Sequence, residues 1–217
     1  MLKAVIFDMD GLMVDSEIIS YYCYRDLLND YGYEFTKEDY IRDFPGKALR
    51  TSITYIKEHY HIDYDIEEKI DQFHQREAQY MEKEGVELKP GLVELLQYLK
   101  AHNYKTIVAT SSLKQRTHRI LGGHDVLQYL DDTVFSSEVK RGKPYPDIFL
   151  KACEKLNVNV DEALVLEDSE AGIQAAYDAH IPVICVPDMK YPDEEFAQKT
   201  TQILSSLHDV LDYIKSI

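Results

Sequence analysis

The sequence predicts an α/β fold: a mainly parallel sheet covered by helices on both faces and interrupted once by an all-helical insert. Three observations predict it. From residue 87 onward, short apolar runs alternate with amphipathic helical patterns, which implies parallel strands joined by crossover helices. The run Ala4-Val5-Ile6-Phe7 lies far from the others but has the same buried-strand character. Residues 16–86 lack clear strands and hold ten of the chain's 17 tyrosines. The expected division is therefore a core of residues 1–15 and 87–217 and a helical cap of residues 16–86.

Each element has a local reason. Residues 4–7 form a strand that delivers Asp8 and Asp10 to its carboxyl end, and Gly11 lets the chain turn away. In the insert, Ile19, Cys23 and Leu27 recur at helical spacing between Ser16 and Tyr31, with Gly32 as a stop. Residues 47–60 and 65–84 also read as helices, with turn material at Phe44-Pro45-Gly46 and around His61-Ile62-Asp63. Leu92, Leu95, Leu96 and Leu99 make the stripe of a helix over 91–103, and a strand follows at 104–110. Next come a helix near 113–121, a strand at 133–135, a helix at 146–157, a strand at 163–167 and a helix at 169–179. Pro182–Val186 reads as the last strand. Leu207, Val210, Leu211 and Ile214 then mark a C-terminal helix.

Composition narrows the function classes. The net charge of −15 disfavours nucleic-acid binding, since phosphate backbones would be repelled. No segment approaches the ~20 consecutive apolar residues that span a bilayer. The first residues lack a secretory pattern, so the chain is expected to act in the cytoplasm without membrane contact. Cys23, Cys153 and Cys185 are far apart and odd in number, and read as small buried hydrophobes rather than disulfides or metal ligands.

Chemistry gathers where strands end. Asp8 and Asp10 follow the first strand, and residues two apart on a strand face one way if the extended geometry persists. Like charges so close are costly unless they share a cation or a proton. Thr110-Ser111-Ser112 closes the second strand, and taken alone such a run is a helix N-cap, Ser112 being the candidate. Lys143 sits in the turn Gly-Lys-Pro-Tyr-Pro-Asp, and Glu167-Asp168 ends the strand at 163–167. Acid pair, hydroxyl, lysine and acid pair thus occur in order.

This ordered set resembles the haloacid dehalogenase superfamily, in its phosphatase and phosphomutase branch. Phe7-Asp8-Met9-Asp10-Gly11 with Asp15-Ser16-Glu17 is similar to the first family motif. Thr110 falls at the second motif, Lys143 at the third and Leu166–Gly172 at the fourth. The resemblance covers essentially the whole chain, most weakly over 16–86 and after 188. It implies a Rossmann-like three-layer core with a cap emerging beside the first motif.

The resemblance implies a Mg²⁺-dependent phosphatase in which Asp8 attacks phosphorus and Asp10 serves as general acid and then base. Mg²⁺ suits an oxygen-only site. Asp8 and Asp168 are the expected side-chain ligands, and the family adds the backbone carbonyl of Asp10. Glu167 would orient waters or backbone, or ligate directly or through water. The Thr110 hydroxyl, the Ser111 amide and Lys143 would hold the phosphoryl oxygens. In so acidic a chain an anionic substrate needs such local cations. In the cap, Gly46, Lys47 and Arg50 are candidates for the distal end of the substrate, against the plainer reading of a solvated helix start.

The expected substrate is a small phosphorylated metabolite, a sugar or polyol phosphate, and the expected state a monomer. A phosphosugar mutase resembling β-phosphoglucomutase shares all four motifs and is the alternative. That family has a histidine where this chain has Ser20. Its cap arginine follows the glycine by three residues, whereas Arg50 follows Gly46 by four. A non-catalytic phosphometabolite-binding regulator is a third reading, opposed by the intact set Asp8, Asp10, Lys143 and Asp168.

Overall fold

The computed structural model describes all 217 residues except Gly46 and Ala48. The chain runs β1 (Ala4–Phe7), α1 (Glu17–Asn29), α2 (Lys37–Asp43), α3 (Leu49–His59), α4 (Ile66–Glu84), α5 (Leu92–Ala101), β2 (Lys105–Thr110) and α6 (Lys114–Gly123). It continues through β3 (Asp132–Phe135), α7 (Asp147–Leu156), β4 (Ala163–Glu167), α8 (Glu170–Asp178), β5 (Val183–Cys185), α9 (Glu194–Ala197), β6 (Gln202–Ile203) and α10 (Leu207–Ser216). Two compact units result, Met1–Asp15 with Leu88–Ile217, and Ser16–Glu87. Glu87, placed with the sheet by the sequence reading, falls in the helical unit. The sheet unit resumes at Leu88, which bridges to Val14, and the Lys89 amide donates to the Met13 carbonyl at 2.9 Å.

The sheet is six-stranded in the order β3-β2-β1-β4-β5-β6, and every pairing is parallel. This is a Rossmann-like three-layer arrangement. β1 is central, and its four residues are fully buried, as a strand covered on both faces requires. Side chains alternate between the faces. Ala4, Ile6, Ile107, Ala109 and Val165 pack with Ile148, Phe149 and Ala152 of α7 and with Ile173, Ala175 and Ala176 of α8. Val5, Phe7, Val108 and Leu166 turn to the other face, where α5 lies against β2 and α10 packs along α5. Burying each such Val, Leu, Ile or Phe stabilises the fold by about 1.5–3 kcal/mol.

Register fixes what stands at the carboxyl edge. Phe7 pairs with Val108 on one side and Leu166 on the other. The Asp8 amide continues the ladder, donating to the Leu166 carbonyl at 3.0 Å. Asp8 therefore lies level with Glu167. The strand order reverses between β1 and β4, and open parallel sheets bind ligands at such a switch point.

The helical unit is held by aromatic packing. Tyr24 of α1 meets Phe44 and Phe73 at centroid distances of 4.7 and 4.6 Å, and the Tyr40 hydroxyl donates to Glu17. α4 contacts both α1 and α3. α2 is an element the sequence reading left unassigned. Its start is a capping box, Thr36 Oγ1 accepting from the Asp39 amide at 3.2 Å while the Thr36 amide donates to Asp39 Oδ2 at 3.1 Å. β6 was also unassigned, because a two-residue strand carries no period to read.

Candidate active site

Asp8 leaves the end of β1 almost wholly buried, 7% exposed. The Lys143 ammonium donates to Asp8 Oδ1, and also to Glu167 Oε1 at 2.5 Å. The turn before α7 thus brings its lysine onto the acids of β1 and β4. The other oxygen of Glu167 accepts three bonds from the β4–α8 turn: the Asp168 and Ser169 amides at 3.0 Å each and the Ser169 hydroxyl at 2.9 Å. Glu167, fully buried, is therefore a fixed strut between lysine and turn. Ser169 caps α8 as well, accepting from the Gly172 amide at 3.1 Å.

Two glycines make room for these acids. Gly11 has φ +81°, and a Cβ there would collide with the Asp168 carboxylate. A Cβ on Gly172 would collide with the carboxylate of Glu167. Asp8, Glu167 and Asp168 each offer an oxygen, all within 4.8 Å of one another.

The Asp8 carboxyl is raised to about 8, chiefly by burial; Lys143 opposes the rise, and Glu167 and Asp10 add to it. Burial also disfavours the Lys143 ammonium, yet Asp8 and then Glu167 outweigh it and hold the lysine above its ordinary value. Asp8 and Glu167 thus share the Lys143 ammonium, and Asp168 clusters with them. The all-oxygen donor set would suit a hard cation such as Mg²⁺. Asp8 and Asp168 could hold such an ion, while Glu167 has one oxygen on Lys143 and the other on the turn.

Asp10 has side-chain partners that the sequence reading does not name. Its Oδ2 accepts from the Ser112 hydroxyl at 2.5 Å and its Oδ1 from Arg116 Nη1 at 2.6 Å. Ser112 does not cap α6, whose N-cap is Leu113. Its hydroxyl goes to Asp10 instead. Sequence reasoning does not find Arg116, because Ser112 precedes α6 and no helical pattern joins the two residues. Thr110 is buried, and its hydroxyl oxygen accepts from the Ser112 amide at 3.0 Å. Ser111 is exposed, with its hydroxyl 3.3 Å from that of Ser136.

The cap candidates lie in the helical unit. Lys47 is exposed, its ammonium 5.3 Å from the centre of the Tyr55 ring. Arg50 pairs with Glu67 at 2.6 Å, both exposed. Gly46 lies outside the described residues. Among the described residues no helix is long and apolar enough to cross a membrane.

A parallel sheet with this order, ending in Asp8, Asp10, Lys143 and Glu167-Asp168 at its switch point, defines a class, and comparison with known proteins agrees. Residues 5–186 match the family model of haloacid dehalogenase-like hydrolases, and the chain belongs to that family. A phosphorylated carbohydrates phosphatase of Thermotoga maritima is 34% identical over 180 residues, covering 83% of this chain and 82% of that protein. The 6-phosphogluconate phosphatase of Escherichia coli is 27% identical over 183 residues, covering 84% and 81%. A crystal structure of a Thermotoga maritima protein provisionally assigned as a β-phosphoglucomutase superposes with a TM-score of 0.83, at 28% identity and with full coverage of both chains. The chain is thus an enzyme, a hydrolase of the phosphatase type.

Proposed function

We propose that this chain is a Mg²⁺-dependent phosphatase that hydrolyses a small phosphorylated metabolite, a sugar or polyol phosphate, through an aspartyl-phosphate on Asp8. The observation that carries the reading is Asp8 itself: a buried carboxylate at the switch point, held by Lys143 and clustered with Asp168. The named phosphatase relatives, one acting on phosphorylated carbohydrates and one on 6-phosphogluconate, support the substrate class.

The chemistry follows from the residues. An Asp8 oxygen attacks phosphorus, and the bond to the leaving oxygen breaks. That oxygen takes a proton from Asp10, because an alkoxide leaves poorly. Asp10, now ionised, accepts a proton from the water that attacks the aspartyl-phosphate, and free phosphate and Asp8 are restored. Lys143, the Thr110 hydroxyl and the Ser111 amide hold the phosphoryl oxygens. Asp8, Asp168 and the Asp10 carbonyl would hold Mg²⁺, which would supply positive charge to offset repulsion between carboxylate and phosphate. Lys47 and Arg50 are kept as candidates for the distal end of the substrate, with Gly46 beside them in sequence.

The mutase reading is not favoured. The named curated relatives are phosphatases, and the chain carries Ser20 and a shifted Arg50 where the mutase pattern differs. Release of inorganic phosphate, measured with Mg²⁺ across some dozens of phosphorylated metabolites, tests the proposal. Phosphate release from a sugar or polyol phosphate is expected. Isomerisation of a sugar phosphate without phosphate release would replace it with the mutase.

A further inference from the structure

Asp10 carries a partner that the four motifs do not include. α6 begins immediately after the Thr110-Ser111-Ser112 segment, and its first turn presents Arg116. Arg116 Nη1 donates to Asp10 Oδ1 at 2.6 Å and to Ser112 Oγ at 2.5 Å, while Ser112 Oγ donates to Asp10 Oδ2 at 2.5 Å. The three side chains close a ring in which both oxygens of Asp10 are engaged. The Ser112 amide in turn donates to Thr110 Oγ1 at 3.0 Å, which anchors the ring to the end of β2. α6 itself is fixed from below by Thr117, Ile120 and Leu121, all buried.

The Arg116 side chain is only 15% exposed, so this pair is shielded from solvent more than a surface ion pair. A guanidinium offers its donors in a rigid plane, so it sets a carboxylate's direction as well as its charge. Direction matters for a group that must reach a leaving oxygen and then a water, because small misplacements of a reacting group cost large factors in rate.

We propose that Arg116, with Ser112, is a positioning residue that aims the Asp10 carboxyl, and that it acts on turnover through Asp10 alone. This rests on the phosphatase reading above. Arg116 touches no reacting atom in this scheme. It prevents the short Asp10 side chain from turning to other rotamers, so that proton delivery and water activation occur from one place.

The test is a cycle of purified variants: Arg116→Ala, Arg116→Lys, Asp10→Asn and the double variant Arg116→Ala with Asp10→Asn. Each is assayed with Mg²⁺ on an alkyl phosphate found in the substrate screen and on p-nitrophenyl phosphate in single turnover. Arg116→Ala is expected to lower kcat on the alkyl phosphate by about 10- to 10²-fold, the scale of a misplaced acid or base. The nitrophenol burst, which needs little protonation, stays within about threefold. Arg116→Lys recovers part of the loss. In the Asp10→Asn background, Arg116→Ala costs less than about twofold, because residues acting as one unit are non-additive. Equal losses on both substrates, a full multiplicative loss in the double variant, or unchanged turnover in Arg116→Ala would each overturn the inference while leaving the phosphatase reading intact. A wild-type enzyme that releases phosphate from no monoester would overturn both.

Discussion

Gly172 lies so close to Glu167 that a side chain at 172 has no room beside the Glu167 carboxylate. That carboxylate ties Lys143 to the β4–α8 turn, so one glycine controls the placement of the lysine over Asp8. Alanine at a helical glycine position gains about 1 kcal/mol of propensity. Overpacking costs typically 1–3 kcal/mol, and a disturbed hydrogen bond to a charged group about 1.5–3 kcal/mol. The loss outweighs the gain. Gly172→Ala is expected to lower the Tm and to reduce kcat by at least tenfold. Thermal denaturation and steady-state assays check it, and a variant as active and as stable as wild type would show that Glu167 is not a fixed strut.

Much of this was legible in the sequence, and the residues show why. The strand at 163–167 was read to its ends, because a fully buried parallel strand is a bare apolar run bounded by polar residues. The meeting of Asp8, Glu167 and Asp168 is legible because each closes or follows a strand, and parallel strands bring their carboxyl ends to one edge; Lys143, in a turn, joins them only through the family resemblance. Three features were not legible. α2 is a short helix whose only advance signal was Thr36 and Asp39 at capping-box spacing. β6 has two residues and exists only through its pairing with β5. Arg116 looked like any polar residue on a surface helix. Its role at Asp10 depends on how α6 leaves β2, which no local pattern encodes.

Metal dependence is expected from the clustered oxygens of Asp8, Glu167 and Asp168. Exhaustive EDTA treatment is expected to abolish phosphate release, and added Mg²⁺ to restore it. Ca²⁺, larger and with more ligands, should support turnover poorly. Phosphate release measured in each condition decides the matter, and full activity after EDTA would remove the metal from the account.

Asp10→Asn separates the two chemical steps. The backbone carbonyl is retained, so metal binding and folding should be spared while turnover of alkyl phosphates slows by roughly 10²-fold or more. With p-nitrophenyl phosphate, a burst of nitrophenol should precede a slow steady rate, because leaving-group departure needs little protonation and water activation still needs the base. Stopped-flow absorbance reads both phases. The same slowing of burst and steady rate would contradict Asp10 as the acid.

The cap cations give a test of substrate reading. Lys47 lies over Tyr55, and Arg50 is paired with Glu67 on an exposed surface. An exposed ion pair adds little to stability, so Lys47→Ala and Arg50→Ala should fold normally. If these side chains meet the distal end of the metabolite, kcat/KM for that metabolite falls and p-nitrophenyl phosphate turnover stays near wild type. Unchanged kinetics on both substrates would leave them as a solvated helix start.

Asp8 is proposed as the nucleophile of a phosphatase. The most direct measurement is phosphate release with Mg²⁺ by wild type and by Asp8→Asn, on the best substrate from the metabolite screen. An amide is neither a nucleophile nor an anionic ligand, so steady release is expected from wild type and none detectable from the variant, with the variant still folded by circular dichroism. Activity of Asp8→Asn within tenfold of wild type would contradict it.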